Sequence, residues 1–173
     1  ARFASEPPSL PHWRPPEELF LVGADERQTR LLERFRLLGV QAEVVAAREE
    51  AHLAVERLMK RRGWAPLSCA ADLAWPSLTP FLDDDDAHLP FGLVEAEWTL
   101  AETGTAVVFP GGSHRRTTSL LPPSVGFLIR RSRIVSRLTD VLEDLDVDPD
   151  RLPANVVFIS GPSRSADIGS VVC

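Results

Sequence analysis

From about Asp25, apolar residues recur at helical spacing: Leu31, Leu32, Phe35 and Leu38 share one face, and Gly39 follows as a stop. Val44–Ala46 reads as a short strand. A second amphipathic helix turns Ala51, Ala54, Val55, Leu58 and Met59 inward and Glu49, Glu50, Glu56, Arg57 and Lys60 outward, ending near Gly63. Leu67–Ala70 is the next expected strand. Val94–Ala101 is helix-compatible, whereas Ala106–Phe109, Val125–Ile129 and Val156–Ile159 are short and apolar throughout, as in strands covered on both faces. Before the last of them, Ser132 stands where it would cap a helix with Ile134, Val135, Leu138, Val141, Leu142 and Leu145 at its apolar positions. This alternation predicts an α/β fold, with a mostly parallel sheet covered on both faces.

The first 24 residues depart from that pattern. Pro7, Pro8, Pro11, Pro15 and Pro16 fix φ and remove donors, so 1–24 is expected to be an extended proline-rich arm, with Trp13 placed to pin it. Residues 25–173 are expected to form a single α/β domain, since no repeat and no second core is evident. A chain of 173 residues, 44% hydrophobic and 25% charged, is long enough for one core and unlike a disordered chain. The chain opens on Ala1 and stops as an apolar segment, Val171–Val172, begins, so its C-terminal end is expected to be incomplete.

Charge and cysteine usage narrow the function classes. A formal charge of −6 disfavours sequence-independent nucleic-acid binding, which depends on neutralising phosphates. A small anion is not excluded, because local arginines govern that. Cys69 and Cys173 are too few for a four-thiolate zinc site or an iron–sulfur cluster, so no metal site and no cofactor are expected in this chain. Cys69, in a small apolar run, is expected to be a buried free thiol, with a catalytic thiol as the alternative. The carboxylates Asp83–Asp86 are expected to form a solvated loop more readily than a cation site. No apolar run is of membrane-spanning length and no signal segment opens the chain, so a cytoplasmic protein without a membrane partner is expected.

Two polar stretches adjoin the apolar strands. Glu102, Thr103, Gly104 and Thr105 lead into the strand at 106–109, and Ser160, Gly161, Pro162, Ser163, Arg164, Ser165, Ala166 and Asp167 leave the strand at 156–159. Glycines let backbone approach a ligand, hydroxyls and backbone N–H groups donate, and the Arg164 fork matches a carboxylate or phosphate. Between them, Gly111–Arg116 with Ser119 suits a mobile lid or anion clamp; His114 is either a surface histidine or an acid/base group. Glu102–Thr105, Arg116 and Gly161–Asp167 are expected to converge on one cleft, with Arg116 and Arg164 as its main anion-binding groups.

Three segments carry a family resemblance: Ala101–Thr105, Arg116–Pro122 and above all Phe158–Ile168. Together they resemble the lactate-utilisation protein C family, or LUD-domain family, closely over about residues 91–168. The resemblance implies a three-layer α/β/α fold of the type shared by sugar-phosphate isomerases, CoA transferases and 5-formyltetrahydrofolate cyclo-ligase. It also implies an accessory role in oxidising L-lactate to pyruvate, beside partner proteins that carry the iron–sulfur clusters. Family members continue past Ala-Asp-Ile into an apolar strand and a Gly-Val-His-Gly-Pro turn, where this chain has only Gly169–Cys173.

Two other functions remain open on the residues. One is a stand-alone enzyme acting on a phosphorylated or nucleotide- or CoA-activated carboxylate, with Glu102 as general base or nucleophile rather than as a turn cap. No Gly-Lys-Ser/Thr element supports a P-loop ATPase. The other is a non-catalytic structural subunit. For the cleft itself, the expected ligand is a small carboxylate or a nucleotide, contacted by Thr103, Gly104, Thr105, Arg116, Ser119, Gly161, Pro162, Ser163, Arg164 and Asp167.

Overall fold

Two helices open the described part of the chain, and glycine ends both. In the computed structural model, which describes residues 23–69, 88–110, 115–146 and 153–162, α1 spans Ala24–Leu38 and α2 spans Arg48–Arg62. Gly39 (φ 75°) and Gly63 (φ 68°) take the left-handed conformation that caps a C-terminus, their N–H groups returning to Phe35 and Arg36, and to Met59. The expected strand at Val44–Ala46 does not form. Val44 is 61% exposed and, among the described residues, 44–46 enter no strand pairing, so β-branching alone does not make a strand there.

The strands are β1 (Leu67–Cys69), β2 (Phe91–Glu95), β3 (Trp98–Leu100), β4 (Thr105–Val108), β5 (Ser124–Leu128), β6 (Ile134–Val135) and β7 (Val157–Ser160). Helix α3 covers Arg116–Leu120 and α4 covers Leu138–Asp146. One sheet is parallel throughout, in the order β1-β2-β5; the other runs β6-β3-β4-β7, with β3–β6 parallel and β3–β4 and β4–β7 antiparallel. The fold is thus α/β with a mixed strand arrangement in which, among the described residues, parallel pairs outnumber antiparallel ones. The run Phe91–Leu100 joins the two sheets. At its bend, the Ala96 N–H donates to the Leu128 carbonyl (3.0 Å) and the Glu97 N–H to the Val107 carbonyl (2.8 Å), so pairing passes from β5 to β4.

That run corrects the helix-compatible reading of Val94–Ala101. Glu, Ala and Leu favour helix locally, but here the segment is the end of β2, a bend at Ala96–Glu97 and β3, and packing on both faces erased the alternation that marks a strand. The helix expected from Ser132 also starts later. Arg131–Arg133 is a single 3₁₀ turn, Ile134–Val135 pairs with β3, and α4 begins at Leu138. Its start is fastened by Asp140, whose Oδ2 accepts the N–H groups of Ser136 (2.9 Å) and Arg137 (3.1 Å).

Side-chain alternation along the run sorts the helices into two layers. Phe91 and Leu93 pack with Met59 of α2, while Gly92, one residue out of phase, faces Thr118 of α3. Farther along, Leu100 and Trp98 pack with Val141 of α4, whereas Ala101 packs with Leu31 and Phe35 of α1. Helices therefore cover both faces, in three layers. The strands differ in depth. β4 is buried throughout, but β5 is half-buried and β7 alternates, leaving Phe158 44% exposed, because among the described residues both stand at the ends of their sheets. Cys69 forms no disulfide and is half-buried at the end of β1, not fully buried as expected.

Residues 1–22 of the expected 1–24 arm, Asp83–Asp86, Gly111–His114, Ser163–Asp167 and Cys173 lie outside the described residues, whereas Gly23 and Ala24 belong to the start of α1. Among the described residues, no helix is long and apolar enough to cross a membrane, and no three His, Cys, Asp or Glu side chains are grouped to hold a metal ion.

Candidate functional site

A four-residue turn, Ala101–Gly104, carries β3 into β4. Its backbone closes on itself: the Gly104 N–H donates to the Leu100 carbonyl (2.9 Å), with Gly104 at φ 70°. The antiparallel register of β4 on β7 then sets Thr105, the first residue of β4, opposite Ser160, the last of β7. So residues 55 positions apart in sequence meet at one end of the sheet.

Their hydroxyls form a short chain. Thr103 Oγ1 lies 2.6 Å from Thr105 Oγ1, which lies 2.5 Å from Ser160 Oγ. The middle member is buried (Thr105, 4% exposed), while Thr103 and Ser160 are exposed. Three hydroxyls hold three protons, and the two internal bonds use two of them. One O–H therefore remains to donate to an acceptor outside the chain, and it stands at an exposed end whenever Thr105 donates to one of its two neighbours. Such a group suits a carboxylate or phosphate oxygen.

The glycines on either side serve packing. Gly104 and Gly161 (φ 68°) both rest on Leu38 of α1: a Cβ at Gly104 would stand 2.9 Å from Leu38 Cδ1, and one at Gly161 3.2 Å from Leu38 Cβ. The close approach expected toward a ligand is, in the structure, an approach to α1. Pro162 follows, exposed, at the rim. Glu102 donates its N–H to the Ser136 carbonyl (3.0 Å), which ties the turn to β6, and its side chain is half-buried. Since the backbone closes the turn, Glu102 is not needed as its cap.

Arg116 and Ser119 do not join this cluster. Both lie on α3, which packs on β2 and β5 near Gly92, at the far end of the 91–100 run. Arg116 is exposed, and the Ser119 hydroxyl, in a buried residue, donates to the Arg116 carbonyl (3.2 Å). Ser163, Arg164 and Asp167 lie outside the described residues.

The segments that build the hydroxyl chain fall inside a family match, since residues 79–172 fit the LUD domain model. A lactate utilization protein C from Exiguobacterium sp. is 32% identical over an alignment covering 94% of this chain and 79% of that protein. The chain belongs to the LUD-domain family. The protein of the same description from Halalkalibacterium halodurans is 42% identical over 80 residues, which are 44% of this chain and about a third (35%) of that relative. A DUF162 family protein of known structure from Deinococcus radiodurans shares the fold, with a TM-score of 0.64 at 18% identity, over 82% of this chain and 91% of that one.

Two features of this LUD domain escaped the sequence. Ser160 was visible only as the first residue of a polar stretch, because its pairing with Thr105 depends on an antiparallel register that spacing does not encode. The second is Glu95, whose side chain is only 11% exposed. Its signal was present: an acid set directly between the apolar run Phe91–Val94 and Ala96, a position that requires a partner.

Proposed function

We propose that this LUD domain is an accessory component of L-lactate utilisation, acting beside partner proteins that carry the iron–sulfur clusters. One observation carries the proposal: a relative called lactate utilization protein C aligns with almost the whole chain. In this proposal, the chain of Thr103, Thr105 and Ser160 donates its spare proton to a carboxylate or a nucleotide phosphate, and Glu102, the residue before Thr103 in the sequence, serves any proton transfer. Arg164, on the segment leaving β7, supplies the cation.

Reconstitution tests this. Lactate-dependent reduction of an electron acceptor should require the chain together with its iron–sulfur partners, and Thr105→Val should lower the rate about tenfold, the scale of about 1.4 kcal/mol for a lost hydrogen bond. Turnover that is unchanged when the chain is left out would remove the proposal.

A further inference from the structure

Glu95 ends β2 with its carboxylate largely enclosed, and two arginines meet it. Arg48 Nη2 lies 3.3 Å from Oε2, and Arg130 Nε lies 2.6 Å from Oε1. One guanidinium is enough to neutralise one carboxylate. The second leaves a local excess of positive charge on a protein whose formal net charge is −6. Both arginines remain close to half exposed (45% and 46%), so they reach solvent far more than Glu95 does. Moreover, Oε1 accepts no aligned hydrogen bond despite its short contact with Arg130. The pairing is coulombic, and Arg130 keeps N–H donors for another acceptor.

The backbone explains why the two arginines meet there. Helix α2 leads into β1 through Gly63–Pro66 and so runs back along the sheet, which brings its first residue, Arg48, to the carboxyl end of the parallel strands. Arg130 follows β5 by two residues and reaches the same edge from the neighbouring strand. The carboxyl edge of parallel strands is where α/β sheets commonly receive ligands. Other nearby arginines are engaged elsewhere: Arg131 pairs with Asp25, and the Arg133 guanidinium lies 5.4 Å from the centre of the Trp98 ring.

We infer that Arg48 and Arg130, held in place by Glu95, form an oxyanion site for the carboxylate or phosphate group of a small ligand. It is distinct from the hydroxyl chain. Asp25, which holds the residue after Arg130, opens α1, and Leu38, which seats Gly104 and Gly161, ends it; at 1.5 Å per residue the two are about 20 Å apart. The inference therefore does not rest on the lactate role.

Calorimetric titration of the full chain with inorganic phosphate, and separately with acetate, tests the site. Saturable binding of one equivalent of either probe is expected, and the stronger probe identifies a phosphate or a carboxylate as the natural group. Arg48→Gln and Arg130→Lys should each weaken binding about tenfold, since neither replacement offers the planar fork. Arg131→Gln should stay within about twofold. Arg130→Lys keeps a charge beside Glu95, so a folded variant remains available, and circular dichroism confirms it. No saturable binding of either probe, or unchanged affinity in both the Arg48 and Arg130 variants, overturns the site.

Discussion

Gly92→Ala is expected to destabilise the domain by about 3 kcal/mol, read as a lower urea midpoint with an unchanged slope. A Cβ there would stand 2.0 Å from the Thr118 carbonyl oxygen and 3.1 Å from Pro122 Cγ. The first of these is backbone, which cannot rotate out of the way as a side chain can. Relief requires α3 to lift from β2, which uncovers Thr118 and Ser119, both buried in the native packing. The predicted loss is thus that of a seated helix and not of glycine's flexibility, because Gly92 has no positive φ. A midpoint within experimental error of the parent would show that α3 does not bear on the sheet at this point.

Gly104→Val should cost about as much, roughly 3 kcal/mol, for a different combination of reasons. A β-branched residue is strained at φ 70°, and its side chain would meet Leu38 Cδ1, Arg34 Cβ and Phe35 Cδ1. Gly39→Val separates the two contributions. Gly39 has φ 75° but nothing within 4 Å of its Cβ position, so that variant should show backbone strain alone, about 1–2 kcal/mol. Equal losses in the two variants would mean that the 101–104 turn does not press on α1. Equilibrium unfolding of the pair decides it.

Much of the fold was legible where local rules and tertiary packing agree. Both long helices and their glycine stops followed from spacing alone, because exposed faces kept the polar positions polar. β1, β4, β5 and β7 were marked by their apolar runs to within a residue or so. What misled was burial on two sides. Val94–Ala101 has α1 and α4 over its second half, so neither face needed polar residues and its helix-forming Glu, Ala and Leu carried the local signal. Ile134–Val135 looked helical because it continues the apolar spacing of α4, while in space it is claimed by β3.

The candidate site was legible in part, and for one reason. Thr103, Gly104, Thr105 and Gly161 adjoin strands, so their positions followed once the strands did. Arg116 did not follow, since a residue between two strands can be carried to either end of them; α3 takes it to the far end of the 91–100 run. The charge cluster at Glu95 required knowledge of how α2 crosses the sheet, which no local pattern contains.

The hydrogen bond between Thr105 and Ser160 joins residues 55 apart, whereas the β3–β4 hairpin closes over only four turn residues. Assembly must therefore be uneven in time. The hairpin carrying Thr103 and Thr105 can form as a local nucleus, while the strand ending in Ser160 docks only after the intervening chain has collapsed and its loop entropy has been lost. On a ribosome the same order holds, since Ser160 is synthesised long after the hairpin. The hydroxyl chain is then a late product of folding, present only once the outer strand has arrived. Partly folded chains would lack it, and amide exchange faster along Val157–Ser160 than along Trp98–Leu100 is the corresponding signature in the native state.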